Sequence, residues 1–189
     1  AQASRAAEAG SPADTGSSES GEGTSDTDEE STPAIPATSP VSVQSVTSWQ
    51  PASANGNAGN LGSASNVIDG DPSTSWSTDT YRDQFGTGPS AFKAGLGLMF
   101  TLGSEQEIRE IELTSDDTIR FEIRTSATAS PTSLEDTERV GSGRTRDGSA
   151  TVELDSATEA EYILVWITRL GTSGPQAYDA TITEVELLG

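Results

Sequence analysis

From Val41 onward, apolar residues recur at every second position in short runs. Gly97-Leu98-Met99-Phe100-Thr101-Leu102 ends at Gly103, and Ile108-Arg109-Glu110-Ile111-Glu112-Leu113 follows it. Ile119-Arg120-Phe121-Glu122-Ile123-Arg124 comes next, and residues 150–154, 162–168 and 181–187 complete the set. A period of two is the signature of half-buried strands, and nowhere does a long stripe of period 3.6 appear. Clusters of Gly, Pro, Ser and Asp separate the runs, which is the pattern of many short strands joined by polar turns. The fold class predicted is all-β, an antiparallel sandwich or barrel. Residues 162–167 (Tyr-Ile-Leu-Val-Trp-Ile) are apolar on both faces, which predicts a central strand covered on each side with Trp166 packed inside. The polar positions Arg109, Glu110, Glu112, Arg120, Glu122 and Arg124 are expected on solvated faces, joined in cross-strand charge pairs.

Residues 1–40 follow a different rule. They hold eight acidic residues, one Arg, no aromatic and a single large aliphatic, Ile35. Such a stretch cannot bury enough apolar surface to offset a chain entropy of about 1–2 kcal/mol per residue. It is expected to be a disordered acidic linker, stiffened late by Pro33, Pro36 and Pro40. Every Trp, Tyr and Phe lies in 41–189. A domain of that size buries roughly 70% of its unfolded surface, so one ordinary core is feasible.

Charge and composition narrow the function. Thirty acidic residues face ten basic ones, a formal net charge of −20, with no Cys and no His. Disulfides, thiol nucleophiles, His-dependent catalytic triads and Cys/His zinc sites are thereby excluded. A surface this acidic argues against nucleic acid and anionic lipid as partners and favours hard cations and neutral or basic ligands. No run of 18 apolar residues occurs, and residues 1–10 have neither the basic start nor the apolar core of a signal peptide. Any exporting or anchoring segment is expected upstream.

One segment carries candidate chemistry: Ser65-Asn66-Val67-Ile68-Asp69-Gly70-Asp71-Pro72-Ser73-Thr74-Ser75-Trp76. Val67 and Ile68 anchor a tight Asp-Gly-Asp-Pro turn that sets Asp69 and Asp71 close to Thr74 and bares several carbonyls. Converging carboxylate, hydroxyl and carbonyl oxygens suit Ca²⁺, which takes 6–8 of them at about 2.3–2.6 Å. The loop alone supplies too few, and Glu184 in the last strand is the natural distant contributor. The alternative is an Asp-Gly turn whose carboxylates cap backbone N–H groups without metal.

The stretch 68–76 resembles the signature of discoidin-like domains, also called coagulation factor 5/8 type C or galactose-binding-like domains. Two further blocks fit the same family in the same order, Tyr162-Ile163-Leu164-Val165-Trp166-Ile167 and Ile182-Thr183-Glu184-Val185-Glu186. The resemblance implies a jelly-roll β-sandwich of about eight strands. It also implies a structural Ca²⁺ under the early loop. Asn66 and Asp71 would give main-chain oxygens, Asp69 its carboxylate, and Thr74 both hydroxyl and carbonyl. Thr183 would add its carbonyl and Glu184 its carboxylate.

Thr78-Asp79-Thr80-Tyr81, Phe92-Lys93-Ala94-Gly95-Leu96-Gly97-Leu98 and Leu102-Gly103 resemble a narrower group. This is the C-terminal extracytoplasmic domain of actinobacterial MviN/MurJ-type proteins, in which a lipid II flippase is joined to a pseudokinase. The resemblance implies a non-catalytic extracytoplasmic module, anchored through an upstream transmembrane segment, that recognises a cell-wall glycan, muropeptide or lipid-linked peptidoglycan precursor. A docking domain for a cell-wall synthesis or division partner is the alternative. Sugar-binding relatives use loop aromatics with Arg or Asn side chains, so Tyr81, Arg82, Phe85, Phe92, Lys93 and Tyr178 are the candidate ligand contacts. The competing expectation for the aromatics is that they pin a long loop onto the sandwich. No two-carboxylate pair is singled out by a motif, so no enzymatic activity is expected.

Overall fold

The computed structural model describes residues 38–189. The expected disorder of 1–40 therefore lies, for residues 1–37, outside the described residues. Ordered backbone pairing starts before Val41: the Ser39 N–H donates to the Gly189 carbonyl and the Ser39 carbonyl accepts the Gly189 N–H, both at 3.0 Å.

The described residues form nine strands: β1 (Ser45–Trp49), β2 (Trp76–Ser77), β3 (Leu96–Ser115), β4 (Arg120–Ser126), β5 (Thr137–Arg144), β6 (Ser149–Arg169), β7 (Gly171–Gly174), β8 (Ala177–Asp179) and β9 (Thr181–Leu188). Seven of them form one antiparallel sheet in the order β2-β9-β3-β6-β4-β5, with β1 paired to β3. β7 and β8 pair separately. The alternating runs at 97–102 and 108–113 are two halves of β3, and those at 150–154 and 162–168 are two halves of β6. Register shifts between Thr101 and Gln106, and between Ile108 and Glu110, break both long strands at the same level. Bulges of this kind bend a strand, and the sheet folds over on itself into two layers. The start of β3 and the end of β6 lie with β1, β4 and β5, while their other halves lie with β9 and β2. The result is a jelly-roll β-sandwich of the galactose-binding-like kind.

Directly paired residues share a face, so the register defines the core. Leu98, Phe100, Phe121, Ile123, Val165 and Ile167 belong to one layer and Ile111, Leu113, Val152, Val185 and Leu187 to the other, all buried. Each such side chain contributes about 1.5–3 kcal/mol when removed from water. β6 sits between β3 and β4, and Ile163–Ile167 is buried throughout, as its two apolar faces predict. Trp166 is inside, its ring edge-on to Trp49 at 5.6 Å across Gly97, which is paired with Trp166.

β5 had no alternating signal, because glycines occupy its inward positions. A Cβ on Gly143 would fall 2.5 Å from Val152 Cγ2 and 2.6 Å from Phe121 Cζ. Val152 of the opposite layer and Phe121 of the neighbouring strand already fill that space.

The expected cross-strand charge pairs need correcting. Arg109 binds Glu107 and Arg124 binds Glu122, each two residues away on its own strand. Glu110 is instead opposite Glu153, Glu112 opposite Glu186, and Arg120 opposite both Arg144 and Arg169. Same-strand partners at i and i+2 already point to one face, so they meet without any help from register.

Candidate functional site

The 3₁₀ helix Leu61–Ile68 buries Ala64 and Val67 and ends on Asp69, which keeps helical backbone angles. Gly70 then takes a φ of +72°, a left-handed turn that reverses the chain. Asp69 Oδ1 accepts the Asp71 N–H at 2.9 Å. Asp71 Oδ1 accepts the Ser73 N–H at 2.9 Å and the Ser73 hydroxyl at 2.6 Å, and these two bonds hold the Asp71 carboxyl below its ordinary pKa. Both carboxylates thus cap backbone amides, as the metal-free alternative requires. They do not exhaust the loop's oxygens. Thr74 Oγ1 lies 2.8 Å from Asp69 Oδ2, 3.1 Å from the Asp71 carbonyl and 3.5 Å from the Asn66 carbonyl. A hydroxyl carries one hydrogen, so it cannot serve three acceptors.

Glu184 of β9 joins this loop from across the molecule. Burial first, and then the negative charge of Asp69, push its carboxyl above the ordinary value, while the Gly70 N–H pulls it back. Asp69, Gly70, Thr183 and Glu184 line one groove of about 620 Å³ with Pro40 and Thr114. Thr183 is buried and donates its hydroxyl to the Thr114 carbonyl at 3.3 Å. Among the described residues no cluster of three or more acidic side chains converges, so side-chain charge alone makes no metal centre. A hard cation would rest on carbonyl and hydroxyl oxygens supplemented by Asp69 and Glu184. The surplus of acceptors around Thr74 fits such an ion, and the residues that would hold it are Asn66, Asp69, Asp71, Thr74, Thr183 and Glu184. The structure brings all of these to one locality.

The second candidate group divides. Tyr81 and Tyr178 exchange both backbone hydrogen bonds, at 2.8 and 2.9 Å, so the early and late loops do face each other. Tyr81 packs edge-on against Phe85 at 5.1 Å, and both rings are buried. Lys93 is only 4% exposed; its ammonium donates to Gln50 Oε1 at 2.8 Å and to the Asn57 carbonyl at 2.7 Å, and lies 5.2 Å from the Tyr81 ring centre. Tyr81, Phe85 and Lys93 therefore pin the long loop onto the sandwich and offer no stacking face, which corrects their assignment as ligand contacts. Burial pushes the Tyr81 hydroxyl up to about 12, with Asp79 adding to the shift, and the buried hydroxyl has no hydrogen-bond partner. Burial also lowers the Lys93 ammonium, against the pull of Asp79. Arg82 is exposed, Tyr178 half-buried, and Phe92 is 46% exposed.

Polar anchors that no sequence pattern marks hold this platform. Asn55 Nδ2 donates to the Phe92 carbonyl at 2.8 Å, fixing the backbone under the exposed ring. Gln84 bonds the backbone of Leu170 from both ends of its amide. A lone Asn in a Gly-rich loop, or a lone Gln, gives no periodic or spacing signal.

The layered sheet, the early turn and the clustered loops define a galactose-binding-like, discoidin-like sandwich. No family model matches the sequence. Among solved structures, the chain is similar to chitosan-binding module 1 of a chitosanase/glucanase from Paenibacillus sp. IK-5, at 20% identity and a TM-score of 0.52, covering 77% of this chain and 93% of that one. It is similar to the family 32 carbohydrate-binding module of AlyQ, solved with 4,5-unsaturated mannuronic acid, at 24% identity and a TM-score of 0.52, covering 79% and 97%. A third match is the family 32 module of NanJ from Clostridium perfringens, solved with galactose, at 20% identity and a TM-score of 0.50, covering 77% and 93%. Likeness at this level of identity establishes the fold.

Proposed function

We propose that this chain is a non-catalytic saccharide-binding module. The observation that carries the reading is Phe92, a ring 46% exposed whose backbone is held by Asn55 and whose neighbour Lys93 is bonded to Gln50 and Asn57. A preorganised ring is suited to the apolar face of a sugar and loses little conformational freedom on binding. Arg82 and Tyr178 are the polar groups at hand. The similar folds that support the reading are a chitosan-binding module and two modules solved with a mannuronic acid or with galactose. The finer reading is an extracytoplasmic module of an MviN/MurJ-type flippase–pseudokinase, tethered by an upstream transmembrane segment and taking a cell-wall glycan, muropeptide or lipid-linked precursor. It rests on the 78–81 and 92–98 blocks. Structural Ca²⁺ on the Asn66–Thr74 loop and Glu184 completes it by tying that loop to β9.

The alternative, a docking domain for a cell-wall synthesis or division protein, needs a contiguous apolar patch of roughly several hundred Å². Leu61 and Phe92 are the exposed large apolar side chains among the described residues, which favours the saccharide. Titration calorimetry of the chain against muropeptides, lipid II and neutral oligosaccharides, with and without Ca²⁺, tests it. Binding of one of these, lost in Phe92→Ala at an unchanged melting temperature, is the expected result. No binding, or equal binding by Phe92→Ala, overturns it.

A further inference from the structure

Five of the chain's ten basic residues converge where β5, β4 and β6 meet. Arg144 is directly opposite Arg120, and Arg169 is opposite Arg120 on the other side, where the register of β4 and β6 shifts, so Arg169 flanks the group from outside the concavity's lining. Arg139 on β5 and Arg146 at the start of the next turn border them, and all five are exposed. Arg120, Arg139, Arg144 and Arg146 line an open concavity of about 490 Å³ with Ser142 and Thr168. Glu122 also borders it, and its carboxylate is already taken by Arg124 at 2.6 Å. None of the five arginines has an ion-pair partner among the described residues.

This arrangement opposes stability. Like charges directly opposite on neighbouring strands repel, and a chain with a net charge of −20 has acids to spare for pairing. Guanidinium groups match the oxygens of carboxylate, sulfate and phosphate in a bidentate fork. Neighbouring strands are about 4.8 Å apart, so the paired Arg120 and Arg144 stand close enough for their long side chains to engage the same polyanionic chain. The distant acids of the chain act mostly beyond a Debye length of about 8 Å in physiological salt, while contacts inside the concavity are screened much less.

We propose that this arginine face is an anion-binding site for an acidic saccharide chain, with the paired Arg120 and Arg144 at its centre and Arg139 and Arg146 at its border. The saccharide as carrier rests on the proposed function, whereas the anion selectivity does not. Binding here is separable from Phe92.

Affinity electrophoresis of the chain in gels cast with polygalacturonate, sulfated dextran or neutral dextran tests the assignment. A chelator is present throughout, so that Ca²⁺ cannot bridge two acidic surfaces. The expected result is retardation by at least one acidic polymer and not by neutral dextran. The Arg120→Gln/Arg144→Gln variant should bind about tenfold more weakly or worse, while Arg109→Gln, away from this face, stays with the parent. Both Arg120→Gln and the double variant should melt at or above the parent, because repulsion is relieved. Absence of retardation by either acidic polymer, or equal retardation of parent and double variant, overturns the proposal. Binding to phosphatidylglycerol vesicles with no response to acidic polysaccharide also overturns it and assigns the face to a membrane surface.

Discussion

The side-chain amide of Gln84 pairs with the backbone of Leu170 as a neighbouring strand would. Its Nε2 donates to the Leu170 carbonyl at 3.0 Å and its Oε1 accepts the Leu170 N–H at 2.7 Å, 86 residues away. Leu170 is buried, so water cannot replace the lost partner. Gln84→Ala is expected to destabilise the fold by about 2 kcal/mol, the scale of one exposed-to-loss buried backbone group. Gln84→Glu should do no better, since a carboxylate cannot donate to the Leu170 carbonyl. Urea denaturation of the two variants checks both statements.

Trp76 is wholly buried, and its indole N–H donates to the Ser48 hydroxyl of β1 at 2.8 Å. Its ring also lies against Gly59, where a Cβ would come within 3.1 Å of Trp76 Cζ2. The ring thereby joins the early loop to β1. Trp76→Ala should cost about 3–5 kcal/mol, as large-to-small aromatic core changes do. Ser48→Ala should cost about 1 kcal/mol, the value of one hydrogen bond. Equal melting of Trp76→Ala and the parent would contradict the packing.

The proposed Ca²⁺ site rests on the crowding of oxygens around Thr74 and the juxtaposition of Asp69 and Glu184. Added Ca²⁺ is expected to raise the melting temperature, and a chelator to lower it. At a hundredfold excess over Kd the gain is roughly 2.7 kcal/mol. Asp69→Ala should abolish the response, and Mg²⁺ should substitute poorly because it demands stricter octahedral geometry. Melting that is indifferent to both chelator and Ca²⁺ would leave the loop as an amide-capped turn.

Tyr81 gives the fold an alkaline limit. An unfolded tyrosine ionises near pH 10, whereas burial holds the folded one protonated up to about 12. Between those values the native chain keeps a proton that the unfolded chain has lost, so stability falls as pH rises. Lys93 acts in the opposite sense at lower pH: its folded pKa is lowered, so stability rises with pH until the unfolded value near 10.5 is reached. Tyr81→Phe should keep the rise and lessen the fall, of which a part remains with Tyr162, whose hydrogen bond to Glu161 also raises its hydroxyl. At neutral pH it should melt at or above the parent, since it removes a buried hydroxyl with no partner. Denaturation curves of both proteins from pH 8 to 12 measure the difference.

The strands that carry large apolar residues at every second position were legible one by one. The runs at 97–102 and 181–187 fall inside β3 and β9 with little displacement. What alternation cannot show is that 97–102 and 108–113 are a single strand, because the interrupting bulge is polar and includes Gly103. β5 escaped notice for the reason its glycines exist, which is that Phe121 and Val152 occupy the space. In the early loop, the acidic and hydroxyl residues pointed to their own convergence because they lie within nine residues of one another. The ligand platform was half legible: aromatic residues mark a sticky loop, but only packing decides that Tyr81 and Phe85 turn inward and Phe92 outward.

By itself the sequence determined the all-β class, the central position of 162–167, the turn at 69–71 and the exclusion of thiol and imidazole chemistry. These follow from local periodicity and from which side chains exist. Glu184 was legible as a distant partner of the Asp69 loop, but the tertiary structure alone decided the other long-range encounters: Gln84 with Leu170, and Arg120 with Arg144 and Arg169. Strand order and register set those encounters. Register is fixed by the fit of both inner faces of the sandwich at once, a condition on the whole chain that no single segment contains.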